Sequence, residues 1–352
     1  MILSPVLLGQ TTISTGSIQG KVTDPSGALL SAAKITITNT ATGQLTTTIT
    51  NSAGIYTSGA LVPGEYRVRA ENPGFRTLEL PIRVQVGVTS DGSIKLALGN
   101  TSEVVEVQSS SLAVNTEQPS VQGVLTTTQI ENLPINGRNF LDLAQLEPGV
   151  QIQDGGNFDP TKKGFSSISF GGRFGRTARI EVDGVDISDE TVGTTTQDIP
   201  ASAIQEFSLG QSMLDLSTEL TSSGSVNVVT RSGTNQWHGQ AYYAFRDQNL
   251  DANLPGGTHP YFQRNQFGGN FGGAIIKDRL FFFLDGERSK QDLLQPVLPG
   301  APLQTQTASF SAPFREIETM GRLDYQISNN YKAFYRFSYN KNSDVSSFEA
   351  TA

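Results

Sequence analysis

The sequence of 352 residues has no cysteine, which excludes a disulfide framework and any thiolate metal site. Histidine is almost missing too. His238 and His259 are the two present, and neither belongs to a paired pattern such as HExxH, so zinc-dependent hydrolysis lacks a ligand set. Basic excess is absent as well: the formal charge is −8, which argues against nucleic acid as a partner. No apolar run approaches the ~18 residues of a membrane helix. The start, "MILSPVLLGQTT", is apolar from Ile2 to Leu8 but has no basic residue ahead of it. Residues 1–15 therefore read either as a truncated secretory signal or as a frayed terminus.

What the chain does have is glycine, 36 residues of it, with frequent Thr and Ser, a composition suited to strands and turns. Residues 16–98 are short alternating runs separated by turn chemistry. Ile18, Gly20 and Val22 share a face, as do Ile35 and Ile37, and Tyr66, Val68 and Ala70. About seven such strands predict a small β-sandwich. Residues 99–232 mix short helices and strands, an α+β pattern. Thr126 to Asn132 predicts a helix stopped by Pro134, and Asn139 a cap for a second helix carrying Phe140, Leu143 and Ala144.

After Thr234 the strands lengthen and turn aromatic. Trp237, Gly239, Ala241, Tyr243 and Phe245 alternate with His238, Gln240, Tyr242, Ala244 and Arg246. Tyr331, Ala333, Tyr335, Phe337 and Tyr339 alternate with Lys332, Phe334, Arg336, Ser338 and Asn340. Strands of about ten residues with one aromatic face, joined by short turns and long loops, predict a transmembrane β-barrel over residues 233–352. A soluble sandwich usually has strands nearer five or six residues. The fold class expected is mainly β: sandwich, α+β domain, then the first strands of a barrel.

One stretch, "SISFGGRFGRTARIEVDGVDISDE", gathers Arg173, Arg176, Arg179, Asp183, Asp186 and Asp189. It has no Lys-Ser/Thr at a helix start, so it is not a P-loop. Its Gly falls too early for an EF-hand, which leaves Asp183, Asp186, Asp189 and Glu190 as an adventitious calcium loop at most. Nothing in the sequence supplies a buried, perturbed carboxylate pair for catalysis. The Gly-spaced "FGGNFGG" reads as a curved strand rather than a nucleotide loop.

The wording of the first unit, "GKVTDPSGALLSAAKITITN" with "LVPGEYRVRAENPGF", resembles the carboxypeptidase regulatory-like domain, which implies an immunoglobulin-like β-sandwich and an accessory module that says little about function. "LPINGRNFLDLAQLEPGVQ", "SVNVVTRSGTNQWHGQAYYAFRDQNLDA", "FQRNQFGGNFGGAIIKDRLFFFLDGERS" and "GRLDYQISNNYKAFYRFSYN" resemble the TonB-dependent outer-membrane receptors of the Oar-like type. That resemblance implies a plug domain over residues 99–232 inside a large barrel. About five strands do not close a barrel, so a fragment of a longer protein is expected.

The resemblance further implies energy-coupled uptake of a bulky solute across the outer membrane of a Gram-negative bacterium, with plug and sandwich facing the lumen and periplasm. It implies no catalytic residue, cofactor or metal. Its partners are membrane lipid, an extracellular solute (iron chelate, glycan or peptide) and the inner-membrane energy-transducing protein TonB. That protein would bind the β-prone run Glu103, Val104, Val105, Glu106 and Val107, unless this run is a linker strand docked on the sandwich or plug. The charged stretch becomes a plug hairpin whose ions pair with a polar lumen wall, or, at Asp186, Ser188 and Asp189, part of a substrate loop. The rival functions are an exported carbohydrate-binding or adhesion protein built on the sandwich, and an exported hydrolase with an accessory β-domain.

Overall fold

The structure is a computed structural model. It describes residues 14–99, 104–106, 121–211 apart from 134, 136, 158, 160, 161, 163 and 174, then 223–252, 260–297, 302, 308–328 and 331–345. The first unit comprises β1 (Ser17–Thr23), β2 (Lys34–Asn39), β3 (Leu45–Ile49), β4 (Ile55–Thr57), β5 (Gly64–Glu71), β6 (Thr77–Val84), β7 (Thr89–Asp91) and β8 (Ile94–Lys95). One sheet runs β4-β1-β7 with β8 also on β1; the other runs β3-β2-β5-β6 and ends on β9 (Val104–Glu106). Alternation sends Ile18, Val22, Ile35, Ile37, Tyr66, Val68 and Ala70 into one core between the sheets. The Tyr66 hydroxyl donates back to the Val62 carbonyl at 2.8 Å, a tie-down typical of immunoglobulin-like sandwiches.

The plug has β10 (Val121–Thr126), α1 (Thr127–Asn132), β11 (Val150–Asp154), β12 (Ser166–Phe170), β13 (Ala178–Val182), β14 (Val185–Asp186), β15 (Ser188–Asp189), β16 (Thr194–Thr195), β17 (Ile204–Gln211) and β18 (Gly224–Thr230). Its larger sheet is ordered β10-β17-β18-β13-β14 and its smaller one β11-β12-β16-β15. The helix α1 begins where Gln129 Oε1 accepts from the Thr126 N–H at 2.9 Å. The second predicted helix is a 3-10 helix, Phe140–Leu146, and the Asn139 side chain does cap it, accepting from Leu141 N–H. Leu141 joins Phe140, Leu143 and Ala144 in the core, one more than the predicted face, because the whole segment is wedged beneath the smaller sheet.

The last unit is an antiparallel sheet of β19 (His238–Asp247), β20 (Phe262–Ile276), β21 (Leu280–Val297), β23 (Phe314–Gln326) and β24 (Lys332–Asp344), with β22 (Ala308–Ser311) paired to β21. Among the described residues it is open at β19 and β24. Short turns join β20 to β21 and β23 to β24, and two residues separate β22 from β23; the connections from β19 to β20 and from β21 to β22 are long. Short turns mark the periplasmic rim of such sheets. The sandwich lies on that side, since Asn235 N–H bonds Ala41 O at 2.9 Å.

The two faces of this sheet are chemically opposite. Gln266, Asn270, Asp285, Glu287, Ser289, Glu318 and Arg322 point at the plug and are buried, while Tyr243, Phe271, Leu284, Tyr335 and Phe337 stand exposed outside. Near the periplasmic rim Trp237, Phe271 and Phe282 form an aromatic cluster with centroids 5.4–5.8 Å apart. The glycine at 268 has a reason other than curvature. A Cβ there would stand 2.5 Å from the Tyr242 hydroxyl, so its absence lets Tyr242 cross the sheet toward Glu287.

Candidate functional site

The chemistry of the molecule concentrates in the seam between plug and barrel wall. At the periplasmic end, β13 and β14 meet in the Asp183-Gly184 turn, where both residues have positive φ, +51° and +77°. Two such residues suit a type I′ hairpin turn, and Asp tolerates the left-handed region better than most residues. The turn projects the Asp183 carboxylate to the wall. Its Oδ1 accepts from Thr230 N–H at 2.9 Å and from Arg322 Nη1 at 3.1 Å. Its Oδ2 accepts from Thr230 Oγ1 at 2.7 Å and lies 3.4 Å from Arg336 Nε.

Arg322 is simultaneously forked on Asp324 and stacked 4.7 Å from the Phe334 ring. Arg336 Nη2 also donates to Val182 O at 3.2 Å. The charges balance: two guanidiniums from β23 and β24, one carboxylate from the plug and one from the wall. Buried pairs of this kind specify a seat more than they add net stability.

A second contact lies farther from the periplasm. Arg138, itself at φ +59°, donates from Nε to Glu287 Oε2 at 3.1 Å and stands 4.0 Å above the Tyr242 ring. Tyr242 donates its hydroxyl to the same Glu287 oxygen, and Gln266 Nε2 donates to Gly137 O at 2.9 Å. The stretch "INGRN" is thus more than a turn and a cap. A solitary Arg between a turn glycine and a capping Asn was the available signal.

Third, Asp198 of the plug meets Glu316 and Glu318 of β23, with one carboxylate oxygen from each lying within 4.8 Å of the others. Thr195 Oγ1 and Asn139 Nδ2 donate to Asp198, at 2.9 and 3.4 Å. Asn340 Nδ2 donates to Glu316 and Glu318, at 3.2 and 3.4 Å. Burial pushes the Asp198 carboxyl up to about 8, and Glu316 and Asp142 add to the shift. These are the described carboxylates with the geometry to take a cation, and amide and hydroxyl donors already bond to them. A cavity of about 310 Å³ opens beside them, with Arg138, Asp142, Arg264 and Glu287 among its walls.

The residues singled out from sequence fall as follows. Asp186 pairs with Arg179 at 3.2 Å and accepts from Ser188 N–H at 2.8 Å; Ser188 Oγ accepts from Ile180 N–H at 2.8 Å. Asp189 meets Lys162 at 2.5 Å and accepts from Thr191 N–H. These groups brace the plug's own loop, and Asp183 is the member of the charged stretch that reaches the wall. Val104–Glu106 form β9, paired in parallel with β6 over three residues; Glu103 and Val107 lie outside the described residues. His238 faces inward, its Nδ1 3.1 Å from Gln236 O, and His259 also lies outside them.

Comparison with known proteins agrees with this architecture. Residues 17–97 match the carboxypeptidase regulatory-like domain and residues 229–315 the outer membrane beta barrel domain. The TonB-dependent transporter Oar of Myxococcus xanthus is 23% identical over 335 residues, covering 82% of this chain and 30% of that protein. The outer membrane transporter YddB from Escherichia coli superposes with a TM-score of 0.50 at 13% identity, over 63% of this chain and 33% of its own. The siderophore receptor PirA from Acinetobacter baumannii gives 0.49 at 22% identity, over 64% and 32%. The chain spans about a third of the length of these relatives. It resembles the TonB-dependent transporter Oar, with a carboxypeptidase regulatory-like domain ahead of an outer membrane beta barrel domain.

Proposed function

We propose that the protein takes up a bulky solute across the outer membrane by moving its plug when an inner-membrane partner, TonB, pulls on the periplasmic side. The supporting observation is the seam. The plug's own apolar core is separate from the small cluster of Ala203, Phe283 and Met320 at the wall, and two main contacts of the described seat, Asp183 with Arg322 and Arg138 with Glu287, are ion pairs. Polar contacts of this kind exchange for water at modest net cost, whereas a shared apolar core does not.

The coupling run remains Glu103 to Val107. Its described part, β9, is held to the sandwich by only three residue pairs, so a partner's sheet edge competes for it by strand addition. Asp186, Ser188 and Asp189 belong, in this reading, to a braced plug loop that offers a defined surface to the solute. The solutes to try are a chelated iron, a glycan and a peptide.

The test uses the full-length protein in outer membranes. Val105→Pro removes a strand donor and is expected to abolish energised uptake while leaving surface binding and membrane level unchanged. Uptake that persists in a strain lacking the inner partner would refute the reading.

A further inference from the structure

The sandwich and the plug keep separate apolar cores, and the contacts that join them are polar. Gln205 Nε2 donates to Pro63 O at 2.8 Å, and the Val86 N–H donates to Glu206 Oε2 at 2.9 Å. A third foot stands on the barrel rim. There Asn235 N–H bonds Ala41 O, and the Asn235 side chain exchanges hydrogen bonds of 2.7 and 2.9 Å with Asp278.

Between these feet lies a cavity of about 750 Å³. Its sandwich side includes Asn39, Val62 and Pro63; its opposite side includes Asp183, Arg322 and Lys332. The chamber therefore opens onto the periplasmic end of the Asp183 seam, and the sandwich roofs it. Interdomain contacts that are small and polar leave relative motion as the default.

Glu206 is the unusual member of this contact. It is only 2% exposed, yet its carboxylate accepts one backbone N–H from the sandwich, and Arg83 stands 3.9 Å away. Arg83 is shared with Glu65 at 3.7 Å, and Arg231, at the end of β18, is taken by Glu131. Glu65 adds a like charge from the sandwich. Burial pushes the Glu206 carboxyl up to about 7, opposed by the Val86 bond and by Arg83. Lifting the sandwich exposes the carboxyl and returns it to the ordinary range.

We propose that the sandwich is a detachable cap over the periplasmic end of the plug–barrel seam, fastened by a protonated Glu206 against Val86. Because the docked state holds the proton more tightly, docking is strongest below the ordinary carboxylate range and weakens as pH rises through about 7. The cap has to lift before a solute leaves the chamber; that gating step rests on the uptake reading, whereas the docking step does not.

These 352 residues have no cysteine, so no native thiol of this stretch competes with an introduced pair. In the full-length protein, spin labels at Thr47→Cys and Ser328→Cys measure the gap between sandwich and rim. One short distance is expected to dominate at pH 5.5, with the docking equilibrium falling by about tenfold or more by pH 8.5. Glu206→Gln keeps the acceptor without the charge and is expected to stay docked at both pH values. A distance independent of pH, or a Gln variant that titrates like the parent, would overturn the cap.

Gating is tested by a disulfide between Ala41→Cys and Asn235→Cys. Oxidation is expected to cut uptake at least about tenfold and leave surface binding intact, with reductant restoring uptake; oxidised protein that transports normally overturns it. A parent protein that binds but never takes up solute refutes the uptake reading, and the spin-label arm still decides the cap.

Discussion

The sandwich and the barrel sheet are written in the same period of two and turned opposite ways. In the sandwich Ile35, Ile37, Val68 and Ala70 lie inside, and the buried polar side chains described are Asn39, Thr50 and Thr77, none of them a carboxylate. In the barrel sheet Asp285, Glu287, Glu318 and Arg322 lie inside and Phe271, Leu284, Tyr335 and Phe337 outside. Alternation alone tells which residues share a face, not which face meets solvent. Strand length and aromatic content break the tie: β20, β21, β23 and β24 have 13 to 18 residues, against at most 8 in the sandwich.

The comparison breaks most sharply at the sandwich core. Ile35→Asp or Val68→Asp places a lone charge at a fully buried site and is expected to abolish folding of residues 16–98. Several kcal/mol is comparable with a small domain's whole ~5–15 kcal/mol. Far-ultraviolet circular dichroism of that segment should show no cooperative transition; a retained one contradicts the assignment of faces. In the seam, by contrast, a buried charge is native and its removal does the damage. Asp183→Ala leaves Arg322 and Arg336 facing each other without their carboxylate, at a cost of about 3–5 kcal/mol to the seated plug. Protease sensitivity of the plug in the assembled protein should rise sharply.

On the outer face, Tyr243→Arg or Tyr335→Arg is expected to cost about 2–4 kcal/mol near the bilayer midplane and less near an interface. Gln240→Arg, on the opposite face, should be tolerated. Heat-modifiable mobility of the outer-membrane protein compares the two, and equal tolerance would make this a solvated soluble sheet.

The fold was largely legible. The faces of β1, β2, β5, β19 and β24 follow from alternation, and Asn139 capped its helix as its position required. The seam was less so, because its partners lie far apart in the chain: Asp183 and Arg322 are 139 residues apart, Arg138 and Glu287 149. Arg336 shows the cost. Alternation marks it as one more polar lumen residue that Gln would replace without loss, yet it grips Asp183 and Val182. No local period encodes which lumen residue meets which plug loop. The charged stretch did advertise itself by composition, and Asp183 was inside it.

The smallest effect sharpens the contrast in pH. Asp198 sits fully buried against Glu316, and its carboxyl is raised from the ordinary range to about 8. A carboxyl raised in the seated state binds its proton more tightly there than when released. Its contribution is therefore complete below the ordinary range near 3.8 and is lost as pH climbs through about 8. Calorimetry of the full-length protein between pH 6 and 9 should show the plug transition moving down by a few degrees. The sandwich transition, with no buried carboxylate among its described core residues, should move less. Asp198→Asn keeps an acceptor for Thr195 and removes the titration, so the plug transition should lose most of its slope while the sandwich is unchanged. If the Asn variant retains the parent's slope, the pH response belongs to another group of the seam, and Asp198 is then a packed, neutral bystander.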